Sequence, residues 1–171
     1  MSEISQALLY LHSRGIIHRD LKSANVLLDG ERLEEAKAKL CDFGLARTKE
    51  DLEKGVFTMT SGIGSPLWMA PEVTRGDKYN SQADVFSFGI LLWEFLFERK
   101  PYDHLDSITN IQIRVATDEN LRPILPKEEE MEERNIKEKK MISMMKKCWK
   151  QDPNERPKME EIAKFFFSMR E

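Results

Sequence analysis

Between Asp84 and Phe97 the chain carries Val85, Phe86, Phe88, Ile90, Leu91, Leu92, Trp93, Phe95, Leu96 and Phe97, which together cover every face of a helix. A helix with no polar side cannot lie on a surface, so this segment is predicted to run through the middle of a folded domain. It is shorter than the roughly 20 residues that a bilayer span takes, and Glu94 falls inside it, so it is not read as a membrane segment. Pro101 is expected to end it, because proline lacks the N–H of the next turn. A chain of 171 residues can wrap one ordinary core of this kind.

The remaining pattern is largely helical. Ile4, Ala7, Leu8 and Leu11 recur at helical spacing up to Gly15, and no good cap precedes them, so the chain is expected to open inside a helix. Val26-Leu27-Leu28 reads as a short strand, Asp29-Gly30 as a turn, and Ala38 to Cys41 as the returning strand after a charged connection. Thr48 to Ser65, polar with Gly55, Gly62 and Gly64, is expected to be a mobile loop. Ser107 to Ala116 reads as a helix, Arg122 to Pro126 as an extended linker, and Lys127 to Lys140 as a solvated run of mixed charge. Ile142, Met145 and Trp149 mark a further helix, and Met159, Ile162, Ala163 and Phe166 the buried face of a last one. The predicted fold is mostly α with a small β-hairpin.

Lys and Arg number 27 against 30 Asp and Glu, a formal charge of −3 that gives no electrostatic case for binding nucleic acid. The two cysteines, Cys41 and Cys148, lie far apart and read as reduced thiols. With no secretory leader pattern in the first residues, the expectation is a cytoplasmic protein.

Chemistry is concentrated in three short runs: His18-Arg19-Asp20-Leu21-Lys22-Ser23-Ala24-Asn25 before the hairpin, Asp42-Phe43-Gly44 after it, and Ala70-Pro71-Glu72. The hairpin should bring Asn25 and Asp42 side by side at its open end, an amide oxygen and a hard carboxylate of the kind Mg²⁺ prefers. Asp20 is suited to accept a hydroxyl proton. Lys22, two residues on in an extended loop, can share its face and neutralise a transferring phosphoryl group. Each also has a plainer reading: a turn carboxylate, a solvated cation, a strand cap. His18 and Phe43 are read as packing residues, and Cys41 as a small hydrophobe in a strand.

In this order the motifs resemble those of eukaryotic protein kinases, closest to the tyrosine-kinase-like Ser/Thr kinases. Leu21 to Leu28, Gly64 to Glu72, Asp84 to Gly89, Cys148-Trp149, Asp152-Pro153 and Glu155-Arg156-Pro157 carry the resemblance, which covers essentially the whole chain. It implies that family's C-terminal lobe, with a catalytic loop at 18–25, an activation segment at 42–72, a helical remainder at 80–171, and the N-terminal β-rich lobe absent. It also implies an ATP-dependent kinase acting in signal transduction on serine or threonine of a protein substrate, with Mg²⁺ (alternatively Mn²⁺) as the cation. By the same resemblance Asp20 is the catalytic base, Lys22 contacts the γ-phosphate, Asn25 and Asp42 hold the metal, and Leu27 packs beneath the adenine. Asp84 would anchor the catalytic loop and Glu72 would pair with Arg156. A lysine at position 22 implies Ser/Thr rather than Tyr as the acceptor. Ser65 stands where the family commonly has threonine and keeps the hydroxyl. Arg19 is read as the partner of a phosphate on the activation segment, with Thr58, Thr60 and Ser61 as candidate sites and Thr60 the first choice.

A Gly-rich loop, a strand lysine and its glutamate partner do not occur in these residues. Gly62-Ile63-Gly64 does not complete the loop pattern, and Lys37 and Lys39 follow the catalytic loop rather than precede it. The adenine therefore has a floor without a roof, and the chain alone is expected to transfer little or no phosphate and to expose an apolar patch. Two classes of function follow: part of an active Ser/Thr kinase, which the complete set Asp20, Lys22, Asn25 and Asp42 favours, or a non-catalytic binding module or decoy.

Overall fold

A computed structural model describes residues 1–32, 35–48, 50–51, 65–105, 107–132 and 134–169. Helix α1 (Ser2–Ser13) buries Ile4, Leu8 and Leu11 along one stripe and packs on the last helix. After it come strand β1 (Ile16–Ile17), a 3₁₀ turn (Ser23–Asn25), and strands β2 (Val26–Asp29), β3 (Lys37–Leu40) and β4 (Arg47–Thr48). A second 3₁₀ turn (Pro66–Trp68) leads into α2 (Pro71–Arg75) and α3 (Gln82–Phe97). Helices α4 (Ile108–Thr117), α5 (Glu128–Glu132) and α6 (Ile136–Cys148), a third 3₁₀ turn (Pro153–Glu155) and helix α7 (Met159–Ser168) complete the described elements.

Helix α3 is the axis of the core. Every residue from Ala83 to Trp93 is buried, and Val85, Phe86, Phe88, Ile90 and Leu92 are fully so. Each such large apolar side chain is worth about 1.5–3 kcal/mol of burial before chain entropy is counted. The saturation stops there: Phe95 is exposed, and Leu96 and Phe97 are only half-buried. The helix ends before Pro101. Glu98 takes a left-handed φ of 51° and its N–H donates to Glu94 O at 2.8 Å, so a backbone cap, not the proline, terminates it. Helix α6 crosses α3 closely at Gly89, where a Cβ would lie 2.9 Å from Cys148 Cβ and 3.2 Å from Trp149 N. A side chain there would have to displace backbone.

The outer helices follow their sequence patterns. Ser107 caps α4 by accepting the Asn110 N–H, and Asn135 caps α6 by accepting the Glu138 N–H. Helix α7 buries Met159, Ile162, Ala163 and Phe166. The short α5 lies inside the charged run that was expected only to be solvated.

Strands β2 and β3 pair antiparallel, Val26 opposite Leu40 and Asp29 opposite Lys37, so the return strand starts and ends one residue earlier than its pattern suggested. A second ladder, which the sequence reading did not anticipate, pairs Ile16 with Thr48 and Ile17 with Arg47. Two residues per strand are too few for any periodicity to register. Most of the predicted mobile loop lies outside the described residues; at its near edge the Thr48 hydroxyl donates to Asp51 Oδ2 at 2.7 Å. Among the described residues no helix is long and apolar enough to cross a membrane.

Candidate functional site

The site is built on one face of α3. Asp84, in its first turn, accepts the backbone N–H groups of His18 and Arg19, each at 2.9 Å, and lies 2.8 Å from His12 Nε2. Arg19 adopts a left-handed φ of 71°, which turns both amides toward one carboxylate. The His18 side chain is fully buried. Its Nδ1 accepts the Asp20 N–H at 3.3 Å and its Nε2 donates to Cys41 O at 3.2 Å, which fixes the tautomer. Through this imidazole the loop carrying Asp20 is tied to the strand end that precedes Asp42.

Four side chains meet beyond that hinge. Lys22 Nζ donates to Asp20 Oδ2 at 2.9 Å and to Ser65 Oγ at 2.7 Å. Asn25 Nδ2 donates to the Asp20 carbonyl at 2.8 Å and to Asp20 Oδ2 at 3.0 Å. Asp20 is only 7% exposed, and burial alone would push its carboxyl up. The Lys22 hydrogen bond and charge, with contributions from Ser65 and Asn25, outweigh that and hold it below the usual carboxylate range. One oxygen is left over: among the described residues, Asp20 Oδ1 is buried and makes no hydrogen bond. A buried carboxylate oxygen in that condition is costly unless a further donor completes it.

The other side of the site is open. The Cys41 N–H donates to Asn25 O at 2.9 Å, which closes the hairpin and places Asp42 next to Asn25 in the chain path. Asp42 is exposed, has a left-handed φ of 62°, and accepts the Gly44 N–H on Oδ1 at 3.2 Å. Phe43 is 49% exposed and sets its ring edge-on to His18 at 5.2 Å, so it packs on one side only. Leu27 is 55% exposed and points away from the face that carries Val26 and Leu28.

Glu72 and Arg156 form a buried two-pronged pair at 2.7 and 2.8 Å. The other guanidinium hydrogens go to the carbonyls of Lys150, Gln82 and Gln151, so the buried charge is fully partnered. The Arg19 guanidinium donates to Leu45 O at 3.3 Å and lies over the Tyr79 ring. Thr58, Thr60 and Ser61 lie outside the described residues.

Sequence reasoning passed over Ser23, Trp68, Ser87 and Glu94. Trp68 is held twice by α3: its carbonyl accepts the Ser87 hydroxyl at 2.7 Å, and its indole N–H donates to Glu94 Oε2 at 2.7 Å. The Ser23 hydroxyl donates to Glu94 Oε1 at 2.9 Å. Burial raises the Glu94 carboxyl above the ordinary glutamate value, and the Trp68 and Ser23 hydrogen bonds counter only part of that. The available signal was three polar residues, Asp84, Ser87 and Glu94, on one face of an otherwise apolar helix.

Among the described residues no three or more of His, Cys, Asp and Glu cluster to hold a metal by themselves. The donors present instead suit a hard cation that takes one or two protein oxygens and completes its shell elsewhere. With the Asn25 amide nitrogen committed to Asp20, its oxygen is available, as is the second Asp42 oxygen.

The family profile of the protein kinase domain matches residues 1–167, and the chain belongs to that family. Similar proteins include a probable serine/threonine-protein kinase of Dictyostelium discoideum, 41% identical over 161 residues, or 94% of this chain and 16% of that protein. Serine/threonine-protein kinase STY17 of Arabidopsis thaliana is 42% identical over 161 residues, 94% of this chain and 25% of its own length. Human mitogen-activated protein kinase kinase kinase 7 is 42% identical over 167 residues, 95% of this chain and 24% of its own length. The chain thus spans a quarter or less of these relatives. Members of this family use ATP and a divalent cation in general.

Proposed function

We propose that this chain is the catalytic-loop and substrate-side portion (18–25, 42–72 and 80–171) of an ATP-dependent protein serine/threonine kinase. The observation that carries the reading is the joined set Asp20, Lys22, Ser65 and Asn25 with one buried carboxylate oxygen unclaimed. Magnesium–ATP, when bound, supplies the γ-phosphoryl group and the positive charge beside it.

Asp20 Oδ1 holds the acceptor hydroxyl and takes its proton. A carboxylate kept ionised by Lys22 is a weak base, which suits orientation of the hydroxyl and late proton transfer, all that a loose phosphoryl transition state asks. Lys22, fixed from two sides, presents positive charge where the transferring group gains negative charge. Asn25 and Asp42 are the proposed metal ligands, and exposed Leu27 the proposed apolar contact for the adenine. The kinase names of the relatives support serine and threonine as acceptors. Arg19 is proposed to meet a phosphate on the segment that carries Thr58, Thr60 and Ser61.

The test is transfer from γ-labelled ATP to a degenerate peptide library, using the 171-residue chain alone and the same chain joined behind a Gly-rich-loop lobe. The joined form should label Ser and Thr over Tyr, and the chain alone should label weakly. Asp20→Asn should reduce incorporation by on the order of 10²–10⁴. A folded joined form that labels nothing, yet still binds a kinase substrate, would instead make the chain a binding module.

A further inference from the structure

Ser23, Trp68 and Glu94 complete a closed circuit around Lys22. Starting from Lys22, the ammonium donates to Ser65 Oγ, and the Trp68 N–H returns to the Ser65 carbonyl at 3.0 Å across a single 3₁₀ turn. The Trp68 indole N–H donates to Glu94 Oε2, Glu94 Oε1 accepts the Ser23 hydroxyl, and Ser23 is bonded to Lys22. The two carboxylate oxygens of Glu94 thus clamp the loop before the hairpin to the segment that leads into α2. These segments are separated by the whole hairpin in sequence, and this clamp joins them alongside the contacts of Ser65 with Lys22 and Asp20.

Resting on the reading above, we infer that Glu94 is a positioning residue, which sets the Lys22 ammonium against Asp20 by clamping Ser23 and Trp68 to the same turn of α3. Three features support this. Ser87, two turns earlier on the same face, holds the Trp68 carbonyl, so backbone and indole of Trp68 are both fixed to α3. Leu67, between Ser65 and Trp68, is buried, so the 3₁₀ turn cannot slide on the helix. The carboxylate is half-buried and keeps two donors, although burial works against its charge.

The geometry distinguishes positioning from simple support. Glutamine can keep the circuit, its oxygen accepting the indole N–H and its nitrogen donating to the Ser23 oxygen, because a hydroxyl can reverse its role and an indole cannot. Alanine breaks both arms. Trp68→Phe removes the indole N–H while keeping an aromatic ring in place.

The experiment reads the Lys22 side-chain ammonium of the ¹⁵N-labelled 171-residue chain by NMR. Wild type and Glu94→Gln should show a slowly exchanging Lys22 signal with the same shift. Glu94→Ala and Trp68→Phe, folded by the same spectra, should lose or move it. An unmoved Lys22 signal in folded Trp68→Phe overturns the inference, even if Glu94→Ala fails to fold. A second arm measures transfer in the joined form: Trp68→Phe and Glu94→Ala should lower kcat by roughly tenfold to a hundredfold with little change in peptide KM, and Glu94→Gln should recover most of that loss. An equal loss in Glu94→Gln and Glu94→Ala also overturns it. If wild type transfers no phosphate, the kinase reading fails, while the Lys22 signal still decides whether the circuit exists.

Discussion

The two sides of the candidate site are held in different ways. On one side Asp20, Lys22 and Asn25 are locked by side chains projecting from α3 and by one another. On the other, Leu27, Asp42 and Phe43 are exposed; the Asp42 carboxylate accepts the Gly44 N–H, and the Phe43 ring meets His18 edge-on. The difference teaches where order comes from. The Asp20 side is organised by contacts within the chain, at the cost of burying charge. The Asp42 side is left as an open rim.

This contrast can be broken most severely at the base of the organised side. Glu72→Ala should strand the Arg156 guanidinium in the core and cost about 3–5 kcal/mol, read as a lower urea midpoint. Asp84→Ala removes the shared acceptor of the His18 and Arg19 amides and should cost about 2–3 kcal/mol, with faster exchange of those two N–H groups. Acid should act on the same side. Because the Asp20 carboxyl titrates below its ordinary value of about 3.9, its contribution is complete above that pH and drains away as the pH falls below it. Wild type should therefore lose stability more steeply than Asp20→Asn as the pH falls from about 4 toward about 2 in urea titrations. The smallest effect is expected on the rim. Asp42→Asn keeps a residue tolerant of left-handed backbone and should change stability by no more than about 0.5 kcal/mol, while abolishing Mg²⁺-dependent nucleotide shifts in NMR. A large loss of stability there would mean that the rim is organised after all.

The same division decides what the sequence disclosed. The burial of α3 was legible because its apolar pattern is saturated, and the Asn25–Asp42 hairpin because a turn signal separates two short apolar runs. Glu94 was not legible: a lone glutamate near the end of an apolar helix reads as the place where water begins. Its two partners are distant in sequence and carry no chemistry by themselves. The β1–β4 ladder escaped because two-residue strands have no period. The end of α3 at Phe97 was legible, but its stop was assigned to Pro101 because a left-handed glutamate such as Glu98 leaves no mark in a sequence, whereas a proline does.

The carboxylate beside the Trp68 indole also gives the molecule an optical reporter. Of its three tryptophans, Trp93 and Trp149 sit in the core, where their emission should be blue and steady, while Trp68 is half-buried against an anion. A version with phenylalanine at positions 93 and 149 would glow from Trp68 alone, so its colour and quenching would follow the seating of the segment before α2 in real time, without any label.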